Sequence, residues 1–301
     1  STKINCLGTM NPKLWKESYK QEDMTLIQAS PDQEYLEAFI DHQINYRDKL
    51  ILLARKYIKE ALSRFITGQH YISITSPSDY NCPNLFHPNL KSRQSGQRLS
   101  LFSDKISNKE GLKNLIGYIF HIKGGLISRD FKGANNHLIR FGGRVKLQEH
   151  LGLSSDLACA CAIIIISETG INSESLYRLG YDKNLNIIEP HDKEGMFTFN
   201  YHKPRAGGSI SRNIKRGDDE INTEFCLSLI EKSTEALRVK ATQGTAKNLF
   251  IHDSQIKSGV VCTISSTAFK SAFKRLISRT NDLDLNLSNP NLSKLRVTVG
   301  I

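Results

Sequence analysis

The chain has 301 residues, 39% apolar and 24% charged, with 41 Lys+Arg against 30 Asp+Glu for a net charge of +11. That length allows two domains with ordinary cores, and the composition excludes a fibrous or low-complexity chain. The longest apolar run, LACACAIIII, has the length of a buried segment rather than a bilayer span, so no membrane association is expected. The opening STKINCLGTM has no basic-then-apolar signal pattern and lacks Met, which reads as a trimmed start.

In chain order, residues 1–33 are polar with few apolar positions and read as an N-terminal arm. From Glu34 to Ile66, Leu36, Phe39, Ile40, Ile44, Leu50, Leu53, Ile58 and Leu62 recur at helical spacing. This predicts one long helix or two consecutive ones, ended by Gly68. SPSDYNCPNLFHPN is loop chemistry. NKEGLKNLIGYIFHI, 108–122, predicts a short helix ended by Gly124 and Gly125. KGANNHLIRFGGRV reads as a basic, Gly-rich linker or a loop lying on DNA. Ser154 or Ser155 caps a buried helix through DLACACAIIIIS, and a turn at Gly170 leads into a short helix with Glu174 in its first turn, where its charge suits the helix dipole. LNIIE (185–189), MFTFNYHK (196–203) and SISRNIK (209–215) are strand candidates, the last two joined as a hairpin through PRAGG. TEFCLSLIEKSTEALRV is an amphipathic helix, and NLFIHD is a short apolar segment. SSTAFKSAFKRLISRT starts at a Ser cap and places Ala268, Phe269, Ala272, Phe273 and Leu276 on one face; a further helix begins after Pro290.

The charge is concentrated. Residues 1–150 hold 22 basic and 14 acidic side chains, and residues 91–146 hold 12 and 3, net +9. The basic set is Lys91, Arg93, Arg98, Lys105, Lys109, Lys113, Lys123, Arg129, Lys132, Arg140, Arg144 and Lys146. A polyanion suits such a segment, and nucleic acid is the commonest one; the plain alternative is a solvated basic surface.

Six scattered cysteines, Cys6, Cys82, Cys159, Cys161, Cys226 and Cys262, read as small buried apolar residues in a reducing compartment. The C-x-C at 159–161 is not a zinc or redox spacing, and no metal site is expected. The glycines of 124–143 do not form a dinucleotide fingerprint. His252 beside Asp253 reads as an exposed loop pair, and Glu168 as structural.

From Leu153 onward, ETGINSESLYRL (168–179), HKPRAGG (202–208), NLF (248–250), FKSAFKRLISR (269–279) and LSKLRVT (292–298) follow one another in an order that resembles the catalytic domain of the tyrosine recombinase, or phage integrase, superfamily. The resemblance covers roughly the second half of the chain. It implies a mainly α fold with a small antiparallel β-sheet: the arm at 1–33, a helical DNA-clamping domain at 34–125 of the core-binding kind, and a recombinase-like catalytic domain at 126–301. It further implies site-specific cutting and rejoining of double-stranded DNA through a phosphotyrosine link, as in DNA integration by mobile elements. No cofactor is implied, because the phosphodiester energy is kept in that link. Self-association on DNA and a bacterial, cytoplasmic, nucleoid-associated setting come with it.

The resemblance assigns roles by position. Lys203, at the hairpin, protonates the departing 5′ oxygen. Arg296 is the second of two arginines that hold the non-bridging oxygens. The first arginine's position, three residues after Thr169, is Asn172, which brings a hydrogen bond and no charge. Three residues before Arg296 the family has histidine, where this chain has Ser293. Arg178 or Arg205 could supply the missing charge, with Arg205 first since it shares a turn with Lys203. The nucleophilic tyrosine belongs beyond Arg296, whereas the last of ten tyrosines is Tyr201; the stop at Ile301 reads as truncation of a longer recombinase. Two alternatives stand beside this one: a non-catalytic DNA-binding protein on a degenerate recombinase scaffold, favoured by Asn172 and Ser293, and an unrelated basic helical protein that binds RNA or protein.

Overall fold

The computed structural model describes residues 32–80, 107–127, 138–181, 187–203, 208–216, 219–254, 259–279 and 292, with backbone alone at 32–40, 42, 43, 46, 202 and 203. Helix α1, Asp32–Ser73, is continuous and runs through Gly68 rather than stopping there. The glycine is present for packing. A Cβ at Gly68 would lie 1.8 Å from the His150 carbonyl oxygen, so the helix keeps its hydrogen bonds and gives up only a side chain. Pro77–Tyr80 is a 3-10 turn, and α2, Asn108–His121, is capped by the Ser107 hydroxyl accepting from Glu110 N–H.

Helix α3, Gly143–Leu151, begins in the last three residues of the stretch read as linker or loop, 132–145, and continues over residues for which the sequence suggested no element. Its inward side includes Gln148, Glu149 and His150 beside Leu147 and Leu151. A buried face that is half polar leaves no apolar periodicity to read. Gln148 donates to the carbonyls of Leu153 and Asp253, and Glu149 accepts from Arg64 and Ser154, so these two side chains are compensated, while the buried His150 Nδ1 meets no partner among the described residues.

Helix α4, Ser155–Thr169, is apolar all round, and Leu157 through Ile166 are fully buried; that is the signature of a core helix. The short α5, Ser173–Tyr177, follows. A three-stranded antiparallel sheet comes next, in the order β1 (Ile188–Pro190), β2 (Met196–Lys203) and β3 (Gly208–Lys215). Its register pairs Phe199 with Arg212 and Lys203 with Gly208. Helix α6 spans Thr223–Arg238 and α7 Gln243–Ala246. A second sheet, unexpected from sequence, pairs β4 (Ile251–Asp253) with β5 (Val261–Thr263) antiparallel. Helix α8, Ser266–Ser278, buries Phe269, Ala272, Phe273 and Leu276, while Ala268 is half-buried.

The described residues divide into two compact units. Those of Ser1–Tyr57, Cys159–Ser228 and Ser265–Ile301 form one, and those of Ile58–Ala158 and Leu229–Ile264 form the other. Each unit therefore draws on both halves of the sequence. In the first, Phe197, Phe199 and Tyr201 of β2 are buried, and Tyr177 stacks on Phe269 at 4.4 Å. In the second, Tyr71, Tyr80, Leu115, Ile116, Tyr118, Ile119, Ile127, Leu147 and Leu151 form one apolar cluster. Gly117 lets Tyr80 lie against α2, since a Cβ there would meet the phenol oxygen at 2.0 Å. The structure is mainly helical with a small antiparallel sheet, and among the described residues no single helix is long and apolar enough to cross a membrane.

Candidate nucleic-acid interface

The Thr169–Gly170 turn is built locally. Gly170, at φ 64°, donates its N–H to Ile166, and the Thr169 hydroxyl donates to Ile165 and accepts from Ile171 N–H. Asn172 then serves as N-cap of α5, its Oδ1 accepting from Ser175 N–H at 2.7 Å. The asparagine thus has a structural use at the position where the resemblance places an arginine, as one of the residue types favoured at N-caps. Glu168 accepts from both the amide and the hydroxyl of Thr223, joining the end of α4 to the start of α6. Burial raises its carboxyl above the ordinary range, and the two Thr223 bonds oppose that rise. This is the structural role expected of it.

An arginine not expected here sits at the same turn. Arg212 of β3 donates through Nη1 to the carbonyls of Thr169, at 3.1 Å, and Gly170, at 3.3 Å, and its guanidinium lies 5.8 Å from the Tyr201 ring centroid. Those carbonyls end α4, so the cation satisfies orphan acceptors and opposes the negative end of the helix dipole. The sequence signal was its parity: Arg212 shares the half-buried face of β3 with Ile210 and Ile214. Arg178, the other arginine considered for the missing charge, pairs with Glu174 at 2.7 Å in an exposed i,i+4 bridge. Lys203 is the last residue of β2, at the hairpin end of the sheet. Arg205, Ser293 and Arg296 lie outside the described residues; of the closing segment only Leu292, helical and buried, is described.

Tyr201 is a core residue, and Tyr177 is half-buried against Phe269. Burial pushes the Tyr177 phenol up to about 12, the opposite of an activated nucleophile.

Of the basic set in 91–146, Lys91, Arg93, Arg98, Lys105, Arg129 and Lys132 lie outside the described residues. Lys109, Lys123 and Lys146 are exposed. Lys113 pairs with Glu110 at 2.6 Å, and Arg140 donates through Nε and Nη2 to Asn108 Oδ1. Arg144 departs from its expected DNA-contact role. Its Nη2 bonds Asp253 Oδ2 at 2.7 Å and the Ser254 carbonyl at 3.2 Å, and its Nη1 donates to the Ile127 carbonyl. A buried carboxylate would be too costly alone, so it captures the nearest guanidinium.

His252 and Asp253 likewise depart from the exposed-loop reading: both are on β4, and Asp253 is 1% exposed. Burial raises the Asp253 carboxyl to about 6 against the pull of Arg144 and the Ile127 amide. Burial, helped by Arg144, lowers His252 to about 4. Cys159, Cys161 and Cys226 are buried and unbridged and Cys262 is half-buried, while Cys6 and Cys82 lie outside the described residues. Among the described residues no group of three His, Cys, Asp or Glu is placed to hold a metal.

The 196–216 segment carries Lys203, Arg205, Arg212, Lys215 and Arg216 and no carboxylate. This second basic element was hidden in sequence by the larger excess at 91–146. No protein-family model, curated protein or solved structure matches the chain.

Proposed function

We propose that this protein binds duplex DNA as a tyrosine-recombinase-type strand transferase. The observation that carries the reading is the acid-free β2–β3 hairpin with Lys203 at its end, in an antiparallel three-stranded sheet that follows the Thr169–Gly170 turn and its helix. In this reading a tyrosine hydroxyl attacks the phosphorus, the 5′ oxygen departs with a proton from Lys203, and Arg296 and Arg205 hold the non-bridging oxygens. A second reading, a non-catalytic DNA-binding protein, is favoured by the side chain of Asn172, whose oxygen caps a helix and brings no positive charge.

The test is a nicked duplex incubated with this polypeptide and resolved on a denaturing gel, beside a binding titration over a range of salt. The expected result is binding that weakens steeply with salt and no covalent band, because the sequence has no tyrosine after Tyr201. A covalent band would make an upstream tyrosine the nucleophile and overturn the assignment of roles. Affinity that is the same at low and high salt would remove the DNA reading. A tyrosine encoded within a few tens of codons past Ile301, and a band from that longer product, would favour catalysis over the second reading.

A further inference from the structure

The outward face of the β2–β3 hairpin has a chemistry of its own. Phe197, Phe199 and Tyr201 turn into the core with the half-buried Ile210, Arg212 and Ile214 as their register partners. The opposite face pairs Thr198 with Asn213 and Asn200 with Ser211, continuing to Ser209 and Lys215. Ser209, Ser211, Asn213 and Lys215 are exposed, and Thr198 and Asn200 are half-buried. The pairs are bonded: the Thr198 hydroxyl donates to Asn213 Oδ1 at 3.1 Å, and the Ser211 hydroxyl to Asn200 Oδ1 at 2.6 Å.

This is a row of amides and hydroxyls with no carboxylate on either strand. The nearest acid in register is Glu189, opposite Thr198 on β1. It puts negative charge on the β1 side and leaves the β3 edge, with Lys215, as the side an anion approaches. Arg216 is not part of that approach, since Glu224 holds it at 2.7 Å.

We propose that this face reads base edges in the major groove of duplex DNA, with Asn213 and Ser211 as specificity-determining residues and Lys215 on a flanking phosphate. The proposal rests on the DNA-binding reading above and adds which surface selects sequence. The major groove admits a two-stranded β-ribbon, and Asn and Ser are side chains that pair with base edges there. Same-face residues recur along a strand about every 7 Å, which matches two base-pair steps of about 3.4 Å. Solvent-facing β-surfaces usually carry charges of both signs for solubility; a face with amides, hydroxyls and one lysine suits a polyanion whose bases need hydrogen-bonding partners. The two cross-strand bonds hold both asparagines in place before DNA arrives. Arg212, tied to the Thr169 and Gly170 carbonyls, anchors the hairpin to the body as a positioning residue.

The experiment selects binding sites from a duplex library with a randomised centre, using wild type, Asn213→Ala, Asn213→Thr, Ser211→Ala and Lys215→Ala, each checked for an unchanged melting temperature. Wild type is expected to recover a preferred sequence. Asn213→Ala and Asn213→Thr should relax that preference at one base pair, by on the order of tenfold, with the salt slope unchanged. Ser211→Ala should relax a neighbouring position. Lys215→Ala should keep the preference and lower the salt slope by about one. Replacing the purine read by Asn213 with its 7-deaza analogue should weaken wild type and leave Asn213→Ala unaffected. The proposal is overturned if wild type binds and selects no sequence, or if the asparagine variants select the same sequence as wild type. Absence of any DNA binding by wild type would instead sink the reading on which it rests.

Discussion

The segment around Arg144 and the hairpin around Arg212 both present arginines in basic stretches, and in both the structure turns the arginine inward. Arg144 meets a buried carboxylate, Asp253, and two carbonyls; Arg212 meets two carbonyls and an aromatic ring. What differs is what remains outside. Of the described cations in the 91–146 stretch that holds Arg144, Lys109, Lys123 and Lys146 are exposed, on a surface chosen by charge alone. Around Arg212 an ordered ladder of Thr198, Asn200, Ser211 and Asn213 faces outward. A count of basic residues finds the first region and misses the second, because it weighs charge and ignores which side chains are already engaged.

The largest effect that separates these regions is on stability. Asp253→Ala removes the carboxylate that Arg144 was buried to meet, and breaking a buried pair from one side typically costs about 3–5 kcal/mol. Chemical denaturation should show that loss. A change below about 1 kcal/mol would mean Arg144 relaxes to solvent and regains the surface role that sequence suggests.

The next effect is pH dependence, which is carried by two histidines and one carboxyl of the Arg144 region and, beside the Arg212 turn, by Glu168, whose carboxyl burial also raises. Burial lowers His150 to about 4 and His252 to about 4, below the ordinary 6.5. The folded state then binds fewer protons than the unfolded one between those values, so the contribution of both histidines is complete above pH 6.5 and is lost as pH falls toward 4. Asp253 works the other way. Its carboxyl is raised from 3.8 to about 6, so it favours folding below 3.8 and loses that contribution as pH rises through 6. The two histidines outweigh Asp253, with Glu168 acting in the same direction as Asp253 without reversing the balance, and stability should drop between pH 7 and pH 5. Urea midpoints at the two values check this, and His252→Asn should flatten the profile.

The smallest effect tests the solvated surface. Lys146→Ala should change stability by no more than about 0.5 kcal/mol while lowering the salt slope of DNA binding by about one. An unchanged slope would leave the basic 91–146 excess, at that position, as solubility alone.

Local order was largely legible in sequence. The buried helix of α4, the Ser-capped α8, and the hairpin of β2 and β3 each follow from unbroken apolar runs, capping residues or alternation that survive in one strand or helix without help. Helix α3 was not legible, because Gln148, Glu149 and His150 are buried polar groups whose partners lie at Leu153, Asp253, Ser154 and Arg64. Gly68 misled for a related reason: its backbone is helical, and its need for no side chain comes from His150 in a distant segment.

By itself, then, the sequence determined a mainly helical chain with one antiparallel hairpin and a basic excess. Only the tertiary structure decided which charges are available. Arg144, Arg212 and Arg216 are identical in composition to any surface arginine, and each is committed by an acceptor that proximity in three dimensions supplies: Asp253, the end of α4 and Glu224. A hydrogen bond between residues 109 positions apart leaves no trace in local spacing, because the energy that fixes it, the cost of burying an unpaired charge, exists only once the chain has folded around it.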